Sequence, residues 1–335
     1  MRILLSLAAY RDPFLPITIA SAYDNAMYKD SLVFAVFEHA YAKEFFDAQA
    51  FSFRNQIRHY RMDPIYAYGA CAARHLAQTL FNGEDYFFQV DSHTIFEPNW
   101  DAQLVAQMEN LLVNHQRPVI SGYPSFFRML DPQKLLYGDF NLHRDCLVLS
   151  VSQENSFRDG SYLVHIKPEV IQSDTPTVTG FLIGANCFFT VGEVTAEVPY
   201  DPFLYFFGEE PSLALRLWTH GYNIFHMNGL PLSTCYERNY RTLHWADPVD
   251  KDRSVPWLAL ERNSQQRLGE IVTGRLQGIY GVGKVRSVQA YADFCGIDYL
   301  NRTLHPKSYM GRAVFKPYYP EIPESTTPNF HHPAY

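Results

Sequence analysis

The sequence predicts an α/β fold: a Rossmann-like mixed sheet flanked by helices, with a small helical extension near its C-terminal end. Three observations predict it. Short apolar runs, such as Leu32-Val33-Phe34-Ala35-Val36-Phe37 and Tyr86-Phe87-Phe88-Gln89-Val90, read as buried strands. Helical stretches alternate with them at the spacing of βαβ units. Asp12-Pro13 and Asp63-Pro64 each pair an acid with a proline, the signal that caps and opens a helix.

Taken in order, residues 3–10 are strand-like. Arg2 followed by Ile3-Leu4-Leu5-Ser6-Leu7-Ala8-Ala9 has the look of a stunted signal peptide, but Arg11-Asp12-Pro13 stands where a cleavage site would, so a first buried strand is the better reading. A helix is expected from Asp12-Pro13 to about residue 28, a strand over 32–37 and another over 54–61. A second helix is expected over 65–80, with Ala70, Ala73 and Ala77 as a small-residue stripe, Arg74 on it, and Asn82-Gly83 ending it. The strand 86–91, a helix over 100–115 and a strand over 119–123 follow. Residues 124–180 are less regular, with strands expected at 147–151 and 162–166. A buried strand is expected over 181–190, a helix over 212–220 closed by Gly221, and a late strand over 222–227. Helices are expected over 255–276 and 287–295. The organisation read from this is a main domain over 1–250, a helical subdomain over 251–300 and a surface-wrapping or mobile tail over 301–335.

Hydrophobic residues make up 47% of the chain and aromatics 16%, enough for a large packed core and against wholesale disorder. The net charge of −7 argues against a protein whose main task is gripping nucleic acid. Five cysteines, odd in number and without CxxC spacing, exclude a disulfide framework and favour a reducing compartment, so a cytoplasmic protein is expected. No apolar run reaches the ~20 residues of a membrane span. No Gly-x-Gly-x-x-Gly follows the first strand, which leaves dehydrogenase-type dinucleotide binding unsupported.

Four stretches can carry chemistry. Ligands of open α/β sheets sit beyond the carboxyl ends of the strands. Tyr10-Arg11-Asp12 and Asp91-Ser92-His93 occupy two such ends. Alternation along a strand points Asp91 and His93 to the same side, and a carboxylate with an imidazole suits a divalent metal such as Mn²⁺. Glu209 and Glu210 follow aromatic residues and Gly208 at the start of a helix, where the dipole favours acids; one can cap while the other faces a site. His244, in Tyr240-Arg241-Thr242-Leu243-His244-Trp245, is a possible third metal ligand. Three kinds of protein are compatible with such a set. One is a metal-dependent transferase acting on a nucleotide-activated sugar. Another is an Fe(II) oxygenase using Asp91, His93 and His244, with Arg253 as anchor for a 2-oxoacid. The third is a non-catalytic binder of sugar nucleotides or glycans.

Several of these stretches resemble glycosyltransferase family 60, which contains cytoplasmic polypeptide α-GlcNAc-transferases. They are Ser6 to Pro13, Gln89 to His93, Val198-Pro199-Tyr200-Asp201-Pro202 through Gly208-Glu209-Glu210 to Gly221, Tyr280 to Ser287 and Phe294 to Tyr299. The Asp-Ser-His and Gly-Glu-Glu elements are also similar to those of the mucin-type polypeptide GalNAc-transferases. The resemblance implies a GT-A fold, a retaining mechanism, a UDP-sugar donor such as UDP-GlcNAc, Mn²⁺ (or Mg²⁺) and a protein or glycan acceptor. By that likeness Asp91, His93 and His244 hold the metal, and Tyr10, Arg11 and Asp12 line the uridine site. Arg74, Asp91, Ser92, Gly184 and Ala185 lie near the donor, and Glu209 and Glu210 bind its sugar or orient the acceptor. The family's Ala-Gly beside the donor sugar is Gly184-Ala185 here, followed by Asn186.

Overall fold

The computed structural model describes residues 1–313 of the 335-residue chain. Its strands are β1 (Ile3–Tyr10), β2 (Leu32–His39), β3 (Ile57–Met62), β4 (Tyr86–Asp91), β5 (Thr94–Phe96), β6 (Pro118–Ser121), β7 (Ser125–Asp131), β8 (Leu136–Asn141), β9 (Cys146–Val151), β10 (Ile166–Ile171), β11 (Thr177–Thr179), β12 (Cys187–Val191), β13 (Asn223–Met227) and β14 (Leu232–Thr234), followed by the short pair β15 (Ile297–Asp298) and β16 (Thr303–Leu304). The helices are α1 (Leu15–Asp24), α2 (Ala70–Gln78), α3 (Trp100–Leu112), α4 (Val194–Glu197), α5 (Glu209–Thr219), α6 (Trp257–Val272) and α7 (Val288–Cys295).

Eight strands form one mixed sheet in the order β11-β13-β6-β12-β4-β1-β2-β3. The run β4-β1-β2-β3 is parallel, as βαβ spacing demands, while β12 enters antiparallel between β4 and β6. β1, the stretch with the look of a signal peptide, is a central strand. Alternate side chains on each strand feed two cores. Leu4, Phe87 and Phe188 face one, with α5, α6 and α7; Leu5, Phe88 and Phe189 face the other, with α1 and α3. Each fully buried phenylalanine contributes about 1.5–3 kcal/mol by leaving water. Leu268, Ile271, Tyr291 and Tyr299, from the stretch read as a C-terminal subdomain, join the first of these cores.

The departures from expectation have local causes. The helix expected over 65–80 is divided: a 3-10 turn at Pro64–Tyr66 precedes Gly69, and α2 starts only at Ala70. Gly69 has φ +98°, and the Tyr205 ring lies 2.6 Å from where its Cβ would be, so the chain turns there to admit that ring. Likewise the run 181–190 is a strand only from Cys187, because Gly184 and Cys187 close a tight turn before it. The hairpin β7–β8 lies in the stretch read as irregular, and β10 begins where the strand expected over 162–166 ends. The helix expected from Ser212 begins at Glu209, so both glutamates stand in its first turn. Of the tail expected over 301–335, residues 314–335 lie outside the described residues; the earlier part holds β16 and a 3-10 turn at Pro306–Met310. Among the described residues no helix is long and apolar enough to cross a membrane.

Candidate active site

The parallel pairing of β1 with β2 and β4 brings three strand ends side by side. Tyr10, His39 and Asp91 therefore share one rim, at the carboxyl edge where α/β sheets bind ligands. A cleft of about 470 Å³ opens there. α2 packs on β1 and β2, its Ala73 and Ala77 lying close against Phe37, and its Arg74 reaches the cleft from above the sheet.

Asp91 and His93 meet in it, with Asp91 Oδ2 3.5 Å from His93 Nε2. Behind them, the His93 Nδ1–H donates to Asp12 Oδ2 at 2.8 Å, and the Ser92 hydroxyl donates to the same oxygen at 2.7 Å. Asp12 Oδ1 accepts the Phe14 N–H at 3.0 Å, so its carboxylate both shapes the entry to α1 and fixes the imidazole. Burial works to raise the Asp91 carboxyl, but the hydrogen bond and charge of His93, with Arg74 and Arg241, hold it below the usual carboxylate range. This is a carboxylate–histidine arrangement of the kind that orients a metal-binding imidazole. An oxygen and a nitrogen so disposed could hold a divalent cation such as Mn²⁺.

Arg74 joins this pair to the helix α5. It donates to Asp91 Oδ1 at 2.8 Å and to Glu209 Oε1, while the Cys71 thiol donates to Glu209 Oε2 at 2.8 Å. Both Glu209 oxygens are thus engaged. Burial pushes its carboxyl up against the opposing pull of Arg74. Glu210 turns the other way: Oε1 accepts the Ala185 N–H at 2.8 Å and Oε2 accepts the Tyr123 hydroxyl at 2.9 Å. Burial pushes Glu210 up to about 7, with the charge of Glu209 adding to the rise and the Ala185 amide opposing it.

The remaining residues expected at the site divide. Tyr10, Ser92 and Ala185 line the cleft with Asp91 and His93. Gly184 lies behind Ala185, with the Gly122 carbonyl oxygen and the Tyr123 ring each 2.7 Å from where its Cβ would be. Arg11 and Asp12 line a neighbouring cavity of about 430 Å³ instead, where Arg11 pairs with Glu44 and Asp247. His244 lines the main cleft, yet both its ring nitrogens face protein groups: Nδ1 lies 2.7 Å from the Tyr205 hydroxyl and Nε2 3.1 Å from the Ala67 carbonyl. Burial, with Arg253 next in weight, lowers its pKa to about 4, so it stays neutral. Among the described residues no group of three or more His, Cys, Asp or Glu side chains gathers to hold a metal.

His244 also belongs to a group of rings on the cleft wall, set edge to face with Tyr10. Its centroid lies 5.0 Å from that of Tyr10, and Tyr10 lies 6.1 Å from His39, with Ala67 and Gly69 close by on the same wall. The sequence reading missed His39, Tyr123 and Tyr205. The rule that places sites at strand ends would have found His39, which ends β2 as Tyr10 ends β1. Tyr205 carries no such signal; only the approach of Gly69 reveals its place.

A strand-end acid and histidine, a buried arginine and a paired glutamate at a helix start make a cleft suited to an anionic, hydroxyl-rich ligand. The family model described as Glycosyltransferase (GlcNAc) matches residues 28–301. The chain belongs to that family. The fold agrees with this membership. A crystal structure of GalNAc-T7 with UDP, GalNAc and Mn²⁺ is similar over 71% of this chain at 13% identity and a TM-score of 0.55, and the similarity covers 44% of that chain. A structure of S. aureus TarS 1-349 is similar over 70% of this chain and 60% of its own, at 10% identity and a TM-score of 0.43. The family member therefore has the GT-A fold, and it spans less than half the length of the GalNAc-T7 chain that it matches. Comparison with curated proteins finds no match.

Proposed function

We propose that the chain is a retaining, divalent-cation-dependent glycosyltransferase that moves GlcNAc or a related sugar from a UDP donor to a hydroxyl of a protein or glycan acceptor. The observation that carries this is the chain Asp12–His93–Asp91, joined through Arg74 to Glu209, at the carboxyl ends of β1 and β4. Asp91 and His93 would hold Mn²⁺ or Mg²⁺, which supplies Lewis acidity toward the departing diphosphate. The rings of Tyr10, His39 and His244 line the part of the cleft where the uracil would lie. Ala185 and the two glutamates form the wall against which the donor sugar would lie.

The glutamates themselves favour one form of the mechanism. Glu209 is bound through both oxygens to Arg74 and Cys71, and Glu210 to Ala185 and Tyr123. Neither presents a free oxygen as nucleophile. That supports attack by the acceptor hydroxyl on the face that UDP leaves, with a phosphate oxygen of the leaving group taking the proton. The role of the glutamates is then to hold Arg74, Ala185 and Tyr123 in place around the sugar.

The test is UDP release from a set of UDP-sugars, with Mn²⁺ and with chelator, in the absence of acceptor. Slow release from UDP-GlcNAc that needs Mn²⁺ and falls at least about 10³-fold in Asp91→Ala is expected. Release unaffected by chelation and by Asp91→Ala overturns the mechanism. Tight UDP-sugar binding with no release over days would mark a binder rather than a transferase.

A further inference from the structure

Three arginines line the cleft, Arg74, Arg238 and Arg241, and Arg241 is the one within hydrogen-bond distance of His93 among the described residues. It comes from the loop that follows β14, and it lines both the 470 Å³ cleft and the neighbouring 430 Å³ cavity. Its Nη2 lies 3.4 Å from His93 Nε2, on the side of the imidazole that faces Asp91. Its Nε is buried with no hydrogen-bond partner. Among the described residues neither it nor Arg238 has a carboxylate within ion-pair distance, whereas Arg74 pairs with Asp91 and Glu209. A buried guanidinium edge without a partner is costly, and such groups are retained where a ligand completes them. Yet the contact that Arg241 does make covers the one imidazole nitrogen through which His93 could take a metal.

We propose that Arg241 is a placeholder cation: it holds the Asp91–His93 pair before ligand binds, and it turns to the diphosphate when a divalent cation arrives with the nucleotide. This rests on the functional reading above, since it needs a metal-bound diphosphate. Two features support the exchange. The Asp12 and Asp91 carboxylates both feel the Arg241 charge, so a positive group stands beside these acids. Arg241 borders a second cavity; among the described residues its one side-chain hydrogen bond is the 3.4 Å contact to His93, beside a guanidinium contact with the Tyr240 ring at 5.9 Å, so leaving Nε2 breaks one weak hydrogen bond. Once displaced, its planar fork is free to take two phosphate oxygens. The consequence is a cation site that disfavours free metal and favours metal already bound to nucleotide.

The experiment titrates Mn²⁺ into the whole chain, followed by the loss of the free-Mn²⁺ electron paramagnetic resonance signal, with and without UDP. Wild type is compared with Arg241→Gln, Arg241→Lys and Asp91→Ala. In Arg241→Gln, Mn²⁺ alone should bind about 3- to 10-fold more tightly, because a like charge next to the site is gone. In the same variant UDP–Mn²⁺ should bind about 10-fold more weakly, because a charged fork on the diphosphate is lost. Arg241→Lys keeps the charge and should stay within about twofold of wild type for Mn²⁺ alone. A residue of merely structural importance would not move the two affinities in opposite directions. Equal Mn²⁺ affinity in wild type and Arg241→Gln overturns the proposal while leaving the functional reading intact. If Mn²⁺ fails to bind wild type even with UDP, the functional reading itself falls.

Discussion

His93 and His244 both lie buried on the wall of one cleft, and both come from polar stretches that follow a strand, yet their ring nitrogens are used in opposite ways. His93 gives Nδ1–H to a carboxylate and turns Nε2 toward Asp91 and the open cleft. His244 gives one nitrogen to a tyrosine hydroxyl and the other to a backbone carbonyl. The difference shows what makes a histidine a ligand. It is neither burial nor a neighbouring acid in sequence. It is whether the partner of one nitrogen raises the basicity of the other and leaves it facing only groups a cation can displace, as Arg241 faces Nε2 of His93.

That contrast can be broken most directly at His93. In His93→Ala, Mn²⁺ binding in the presence of UDP should fall by at least about 100-fold and transfer with it, because one of the two available donors is removed. Retained Mn²⁺ affinity in this variant would erase the distinction between the two histidines. The next largest effect should come from Asp12→Asn. The amide keeps the size of the side chain and still accepts from Nδ1–H, but it lacks the charge that holds the imidazole. A loss of about 10-fold in Mn²⁺ affinity, with UDP affinity in the absence of metal unchanged, is expected from the removal of an orienting carboxylate. An equal loss of metal-free UDP affinity would mean that Asp12 serves the nucleotide directly, as the family resemblance implies.

Much of this was legible in the sequence because it depends on strand ends. Apolar runs located β1, β2 and β4, and their last residues are by position candidates for a site. Asp91 and His93 came from that rule together with alternation along the strand. What the sequence withheld depends on contacts between residues far apart in the chain. Asp12 reads as a helix cap beside Pro13, and only the pairing of β1 with β4 puts it behind His93. Glu209 and Glu210 read as alike, and the helix sends one to Arg74 and the other to Ala185. Gly69 looks like an interior break in a helix; its need is set by Tyr205, 136 positions later by number, pressed against its missing side chain. Such pairings follow from tertiary packing and leave no local pattern.

The smallest expected effect on the metal falls at His244, and it sharpens the comparison from the other side. His244→Gln keeps a donor for the Ala67 carbonyl while removing the imidazole. Mn²⁺ affinity should stay within about threefold of wild type, since neither nitrogen of His244 is available to a cation. Stability should change instead, and with pH. An unfolded histidine titrates near ~6.5, whereas in the folded chain burial and Arg253 lower His244 to about 4. Between those values the unfolded state binds more protons than the native state, so this contribution is fully present above the unfolded pKa and is lost as pH falls through that window. With His244 only 8% exposed, its full size is on the order of 2–3 kcal/mol. The difference in Tm between wild type and His244→Gln should therefore shrink steadily from pH 7 to pH 4.5. His226, also held low by burial, slopes the same way in both proteins and cancels in that difference, while His39, which the His244 charge also lowers, adds to it. A gap in Tm that does not depend on pH, or a loss of Mn²⁺ affinity as large as that of His93→Ala, would put the two histidines on the same footing and return His244 to the metal.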